Sequence, residues 1–243
     1  MKIVVYTALI GNYDRLIEPN FNSKYIDFVC FTDQNIKSKT WNIRNIELVD
    51  KLTPTQLNRF YKMNPHKLFP DYDVSVYVDS NIFIKSDFYN FLSLSLENHL
   101  IAAPCHLLRN CIYEESEVIR AQGRANLMQV SDQMNRYRKE GMPSNIGLCE
   151  MNIIFRLHNH PDVISLMELW YDEFSKGVKR DQLSFFYCVW KLNMIDQIKS
   201  LNINSRRKNK YFMAIPHLNE KFLKKTFYYM NMLYIRIGRK NRS

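Results

Sequence analysis

No CxxC pair occurs in this chain, no apolar run approaches the roughly 20 residues that cross a bilayer, and no repeat or low-complexity linker divides it. Each absence removes a class of protein. The five cysteines, Cys30, Cys105, Cys111, Cys149 and Cys188, are odd in number and scattered. They indicate neither a disulfide framework nor a zinc knuckle, and a reducing cytosol suits them. The opening MKIVVYTALIGNYD reaches Gly11-Asn12-Tyr13-Asp14 without a small-residue cleavage site, so it reads as a first strand rather than a signal peptide. What is present is apolar and aromatic: 46% hydrophobic and 14% aromatic residues over 243 positions exclude a disordered chain and allow one large core.

The net charge of +10 would imply a nucleic-acid partner if it were spread over the fold. It is concentrated instead. Residues 1–205 hold 23 Lys/Arg against 23 Asp/Glu, whereas 206–243 hold 11 basic residues against the single acid Glu220. In that tail Lys221, Lys224, Lys225, Arg236, Arg239, Lys240 and Arg242 alternate with Phe222, Phe227, Tyr228, Leu233, Tyr234 and Ile235. Such a segment can lie in a membrane interface, each basic group near an anionic surface adding about 1 kcal/mol. A helix packed on the body is the alternative, and nucleic-acid binding is the least favoured reading.

Branched and aromatic runs at residues 3–8, 26–31, 41–49 and 74–78 read as strands, with helical spacing between and after them, an α/β alternation. Thr53 with Gln56 makes a capping box, Pro54 suits the first helical position, and the helix that follows places Arg59 and Lys62 on one face. Another helix is expected after Ser86-Asp87. A long one is expected over 114–139 with Val118, Ala121, Ala125 and Met128 inside, although Gly123 interrupts it. An extended segment containing Glu150 and Asn152 then closes at Asn159-His160-Pro161. Val163, Met167, Trp170 and Phe174 mark the next helix, and a further helix follows Asp181.

In open α/β sheets ligands bind beyond the carboxyl ends of strands, which directs attention to residues 7–14, Thr32-Asp33 and Asp79-Ser80-Asn81. By itself Asp-Ser-Asn is also ordinary turn chemistry. Its surroundings are more specific. YTALIGNYDRLIEP, FVCFTD, LNRFYKMNPHKLFPDYDVSVYVDSNIFI, HLLRNCIYEE, GLCEMNIIFRLHN and RDQLSFFYCVW, in that order over residues 3–191, resemble a glycosyltransferase-like family formerly catalogued as a domain of unknown function. That family is found in bacterial surface-polysaccharide loci and among plant Golgi proteins, and Asp79-x-Asn81 resembles the Asp-x-Asp signature of GT-A enzymes.

The resemblance implies a GT-A-like, Rossmann-related mixed sheet flanked by helices over 1–205, followed by the tail over 206–243. It also implies transfer of a sugar from a nucleotide-sugar donor, a UDP-sugar, to a glycan or lipid-linked acceptor in surface-polysaccharide assembly. The alternative is a non-catalytic glycan-binding or membrane-tethering member of the same fold. Thr7, Asn12, Tyr13 and Asp33 would surround the base and ribose, with Arg59 and Lys62 at the donor phosphates or sugar. Asp79 and Ser80 would meet the donor, and Asp79, Asn81 and His217 would hold Mn²⁺ or Mg²⁺, with Asn81 lowering the site's charge where the signature has a second carboxylate. Asp181 and Glu150 are the candidates at the transfer centre, as base or acceptor-positioning groups, while His106, Arg109, Arg156 and His158 are candidates for the acceptor or for structural roles. The expected location is cytoplasmic, peripheral on the inner face of the cytoplasmic membrane.

Overall fold

Strands that are apolar on both faces need cover on both sides, and the three main runs are of that kind: β1 (Ile3–Leu9), β2 (Ile26–Thr32) and β4 (Val74–Val78) are buried at nearly every position. In the computed structural model, which describes residues 1–21, 23–47, 52–206 and 209–218, they join β3 (Asn42–Asn45), β6 (Ile101–Pro104), β7 (Ile153–Arg156) and β8 (Ile198–Leu201). The seven-stranded order is β3-β2-β1-β4-β7-β6-β8. β7 runs antiparallel to both neighbours and the remaining pairs are parallel, so the sheet is mixed, as expected. The strand expected over 41–49 is shorter than its apolar run, and residues 48 and 49 lie outside the described residues.

Side chains alternate across β1: Val4, Tyr6 and Ala8 enter one core, Ile3, Val5 and Leu9 the other. Residues of α1 (Pro54–Met63), α4 (Ile112–Ala121), α5 (Leu127–Lys139), α6 (Pro161–Lys176) and α7 (Gln182–Lys191) fill the first core, next to the short α2 (Pro65–Leu68). The second core is filled from α3 (Tyr89–Leu96) and a ribbon of β5 (Ile82–Ile84) paired with β9 (Phe212–Ala214). Phe212 is fully buried, so packed chain continues past residue 205. The residues of the basic tail from 219 onward lie outside the described residues.

The expected caps form. Thr53 and Gln56 close a reciprocal capping box on α1. Along α6 Val163, Met167, Trp170 and Phe174 are all at most 1% exposed, each such side chain contributing about 1.5–3 kcal/mol. The helix expected over 114–139 is instead two. Gly123 takes a left-handed φ of 61° after α4, and Asn126 restarts the chain by accepting from the Met128 and Gln129 amides. The break rotates the stripe: Ala121 and Met128 are exposed, Val118 and Ala125 half-buried, and Ile119, Val130, Met134 and Tyr137 are the core residues.

Two residues expected near an acceptor are core residues. Arg156 is fully buried; it donates to the Lys62 carbonyl at 2.8 Å and to the Tyr6 hydroxyl at 2.5 Å. That carbonyl belongs to the last turn of α1, where intrahelical donors run out and a cation is favoured by the helix dipole. Burial lowers the Arg156 pKa. His158 is equally buried; its Nε2 lies 2.8 Å from the Phe69 carbonyl, to which it donates. Burial, helped by the nearby Arg156 charge, holds its pKa down at about 4.

A histidine that must stay neutral makes folding pH-dependent. The unfolded chain binds this proton below about pH 6.5 and the folded one only near 4, so stability is full above that window and falls as pH drops through it. Between pH 7 and 4.5 the loss amounts to about 2–3 kcal/mol. In His158→Gln, which keeps a donor without a titrating ring, urea unfolding across that range is expected to lose this component. An unchanged slope would show that His158 is protonated in the fold.

Candidate functional site

The carboxyl end of β4, the start of β7 and the end of β6 meet at one edge of the sheet. Val78 pairs with Ile153, the Asp79 amide donates to the Asn152 carbonyl at 2.9 Å, and Cys105 bridges to Cys149. The antiparallel insertion of β7 therefore brings Glu150 and Asn152, 71 and 73 positions further along the chain, beside Asp79. Between them Met151 takes a left-handed φ of 37°, a conformation that costs a non-glycine residue on the order of 1 kcal/mol.

Opposite this edge lies a buried ion cluster. The Lys62 ammonium, its side chain 2% exposed, lies 2.5 Å from Asp181 Oδ2 and 3.7 Å from Asp79 Oδ1, while Arg59 Nε is 3.1 Å from the same Asp181 oxygen. Arg59 and Lys62 share a helix face, as their spacing implies. Asp181 is fixed from behind, its carbonyl accepting from the Trp170 indole at 2.9 Å. Burial alone would raise its carboxyl pKa, but the Arg59 and Lys62 charges outweigh it and hold the group well below the usual carboxylate range. Burial opposes the Arg59 charge, yet Asp181 and Asp79 raise its pKa. Asp181 is thus a permanent anion and a weak proton acceptor, which argues against its expected role as a base and for a positioning one.

A second cluster stands on the other side of Asp79. His217 Nδ1 lies 2.9 and 3.0 Å from the two Asp14 oxygens, and Ser80 Oγ donates to Asp14 at 2.8 Å, so Ser80 serves Asp14. With Nδ1 donating to a carboxylate, the lone pair of Nε2 is directed to the Asn81 side, 3.4 Å from Asn81 Nδ2. Asp79, Asn81 and His217 line one cavity of about 180 Å³. This donor set of carboxylate, amide and a carboxylate-oriented imidazole fits a divalent cation, although no group of three His, Cys, Asp or Glu suited to a metal occurs among the described residues. Asn81 and His217 also border a larger cavity of about 550 Å³ lined by Asp14 to Glu18 and Ile215 to Leu218. Tyr13, 57% exposed, has its ring centroid 4.7 Å from that of His217.

Glu150, Glu115, Asp181 and Gln182 line the smaller cavity too. Gln182 donates to the Cys149 carbonyl at 2.7 Å, tying α7 to the loop that carries Glu150. In that loop Gly147 has a φ of 127°, and a Cβ there would collide with the Phe186 ring. His106 and Arg109 stand behind the two glutamates: Arg109 Nε is 2.5 Å from Glu115, and His106 Nε2 is 3.8 Å from Glu115 and 3.9 Å from Glu150.

Packing corrects the expectation for Thr7. Thr7 is 1% exposed within β1, so it cannot meet a base or ribose. Asp33 accepts from the Gly11 amide with both oxygens, at 3.0 and 3.1 Å, and clamps the loop that carries the exposed Asn12 and Tyr13. Arg156 and His158 lie in the core, as described. No sequence pattern assigns a role to Asp14, Asn152, Arg124, Arg180 or Arg206, which also line or border the site. Asp14 meets its partner 203 residues away, and only its place directly after Gly-Asn-Tyr at a strand end could have marked it.

Removing the charge of Asp181 leaves Lys62 buried with only Asp79, at 3.7 Å, opposite it. Asp181→Asn is therefore expected to destabilise the fold by about 3 kcal/mol in urea unfolding, and adding Lys62→Met should recover part of the loss. A change below 1 kcal/mol would mean that water reaches the ammonium.

Comparison with known proteins identifies the family. The chain is 24% identical over 212 residues to the probable hexosyltransferase MUCI70 of Arabidopsis thaliana, an alignment covering 75% of this chain and 36% of that protein. The chain thus spans about a third of the length of that relative. Among solved structures, the bifunctional glycosyltransferase WbbM superposes with a TM-score of 0.47 and 12% identity, over 82% of this chain and 38% of that one. GlyE of Streptococcus pneumoniae gives 0.43 and 14%, over 82% and 45%. The TOD1/MUCI70 glycosyltransferase-like domain model matches residues 1–217, nearly all of the described chain, and the protein belongs to that family.

Proposed function

We propose that this protein transfers a hexosyl group from a nucleotide-sugar donor, a UDP-sugar, to a glycan or lipid-linked acceptor in surface-polysaccharide assembly. The observation that carries the reading is the convergence, at one sheet edge of a glycosyltransferase-like domain, of Asp79, Asn81 and His217 with the Asp181–Lys62–Arg59 cluster. The hexosyltransferase naming of the plant relative is consistent with it.

In this reading the nucleotide lies on the Tyr13 side, where an exposed ring can stack on a base, and the diphosphate lies at Asp79, Asn81 and His217. A divalent cation held by these three would offset the charge that develops on the leaving diphosphate. Asp14 keeps the His217 imidazole oriented for that role, and Ser80 keeps Asp14 in place. The donor sugar lies toward Asp181, which as a fixed carboxylate accepts hydrogen bonds from sugar hydroxyls and stabilises positive charge developing at the anomeric carbon. Glu150, across the cavity and faced by His106, is the group positioned to accept the acceptor's proton. The basic, aromatic tail would bring the enzyme to an anionic membrane on which a lipid-linked acceptor resides. No helix among the described residues is long and apolar enough to cross a membrane.

The deciding assay is release of nucleoside diphosphate, or of CMP from CMP-sugars, from a panel of UDP-, GDP-, CMP- and dTDP-sugars with Mn²⁺, Mg²⁺ or EDTA. One UDP-sugar is expected to be turned over, with Asp79→Ala reducing the rate at least a hundredfold while the melting temperature stays near that of the wild type. Absence of both turnover and donor binding, with candidate acceptors present, would sink the transferase reading in favour of a non-catalytic glycan-binding or membrane-tethering protein.

A further inference from the structure

Three arginines line the cavity that holds Asp79 and Asp181: Arg124 from the turn between α4 and α5, Arg180 from the residue pair before α7, and Arg206 from the chain after β8. The four carboxylates in the same wall face other cations: Asp181 faces Arg59 and Lys62, Asp79 faces Lys62 at 3.7 Å, Glu115 faces Arg109, and Glu150 lies 3.9 Å from His106. None of the three arginines has a carboxylate within 4.0 Å among the described residues. Two of them are nonetheless held together, since Arg180 Nη2 donates to the Arg124 carbonyl at 3.3 Å. Arg180 is half-buried, and besides the loss of water it feels repulsion from Arg124 and Arg59, partly offset by Asp181.

Guanidinium groups gathered at one concavity without a close ion-pair partner of their own repel one another, and an anion that enters among them relieves that repulsion. The start of α7 reinforces this. Gln182, its first residue, lines the same cavity, so the N-terminus of α7, where negative charge is favoured, lies at the wall, beside the Asp181 carboxylate that accepts from the Gln182 amide. Guanidinium groups match the planar and tetrahedral oxygens of carboxylates and phosphates in a bidentate way that no neutral sugar hydroxyl exploits.

We infer that Arg124, Arg180 and Arg206 form an oxyanion-binding wall that takes a phosphate or carboxylate group of a saccharide substrate. The inference rests on the transferase reading for the identity of its ligand. Two sources supply that chemistry: the diphosphate of the donor, or an acidic sugar of the acceptor.

Titration calorimetry at low salt separates them, with UDP and inorganic pyrophosphate in one arm and a uronic-acid disaccharide in the other. The proteins are the full chain, the triple variant Arg124→Gln/Arg180→Gln/Arg206→Gln and Asp79→Ala, each checked by circular dichroism. Arg124 and Arg206 are exposed and Arg180 half-buried, and removing them breaks no ion pair among the described residues, so the triple variant should fold. The wild type is expected to bind at least one arm, and the triple variant to bind that arm at least tenfold more weakly. Weakening of UDP and pyrophosphate assigns the wall to the donor, and weakening of the uronate alone assigns it to the acceptor. Equal affinity of wild type and triple variant for every probe, or no binding of any probe by the wild type, overturns the wall. If donor turnover that depends on Asp79 persists while the triple variant binds as the wild type does, only the wall falls. If no donor is turned over but the uronate binds through the arginines, the wall stands and the transferase reading falls.

Discussion

An ammonium group almost out of contact with water governs this structure. Leaving bulk solvent costs Lys62 several kcal/mol, and only a close, well-oriented anion offsets that. Asp181 is that anion, and neither partner is left to find the other by side-chain motion. The backbone of Lys62 is held by the Tyr6 hydroxyl and the Arg156 guanidinium, both bonded to its carbonyl. Asp181 is held by the Trp170 indole. One ion pair thus ties α1, β1, β7, α6 and the start of α7 together, and the buried arginine of β7 owes its place to the same carbonyl. A site assembled from groups that the fold itself requires cannot relax without loosening the core, which is the preorganisation that an electrostatic catalyst needs.

The same cluster sets the chemistry. Two cations share one oxygen of Asp181, so its carboxylate has little basicity left for taking a proton and much capacity for holding a dipole. Glu150 is placed differently, on a loop fixed by Gln182 and by the close approach of Gly147 to Phe186, with His106 rather than an arginine as its neighbour. Two carboxylates of one cavity therefore differ in what stands behind them: Asp181 is held by Arg59 and Lys62, and Glu150 is faced by His106.

Local signals carried the strands, the Thr53 capping box, the α6 stripe and the shared face of Arg59 and Lys62, because each is written within a few turns of chain. They failed where contact is non-local. Arg156 and His158 are polar residues in an apolar strand segment, which at the level of sequence looks like a binding surface. Their partners are the carbonyls of Lys62 and Phe69, roughly 90 residues earlier, and nothing in the pattern announces them. Thr7 looked available because it precedes a strand end, but β1 extends to Leu9 and encloses it. Within the 114–139 segment the apolar spacing was ambiguous, and one left-handed glycine followed by an asparagine cap outweighed it. Resemblance pointed to Asp79, Asn81 and His217, which line one cavity, but not to Asp14, whose carboxylate meets the His217 ring from 203 residues away.

Asn81 gives the site its remaining asymmetry. Where a second carboxylate would add negative charge for a cation to bind, an amide adds none, and its nitrogen is engaged by the carbonyl of Ile215, the residue directly after the ribbon. The cavity therefore has fewer anions than the Asp-x-Asp pattern implies, and Arg124, Arg180 and Arg206 line it without an ion-pair partner of their own among the described residues. Both departures have the same sign. A ligand entering such a cavity gains from carrying negative charge in proportion to how little of it a bound metal neutralises. On the proposed reading, loss of the second carboxylate and gain of the arginine wall are two sides of one electrostatic solution, in which protein cations take over part of the work that a more tightly held metal would do.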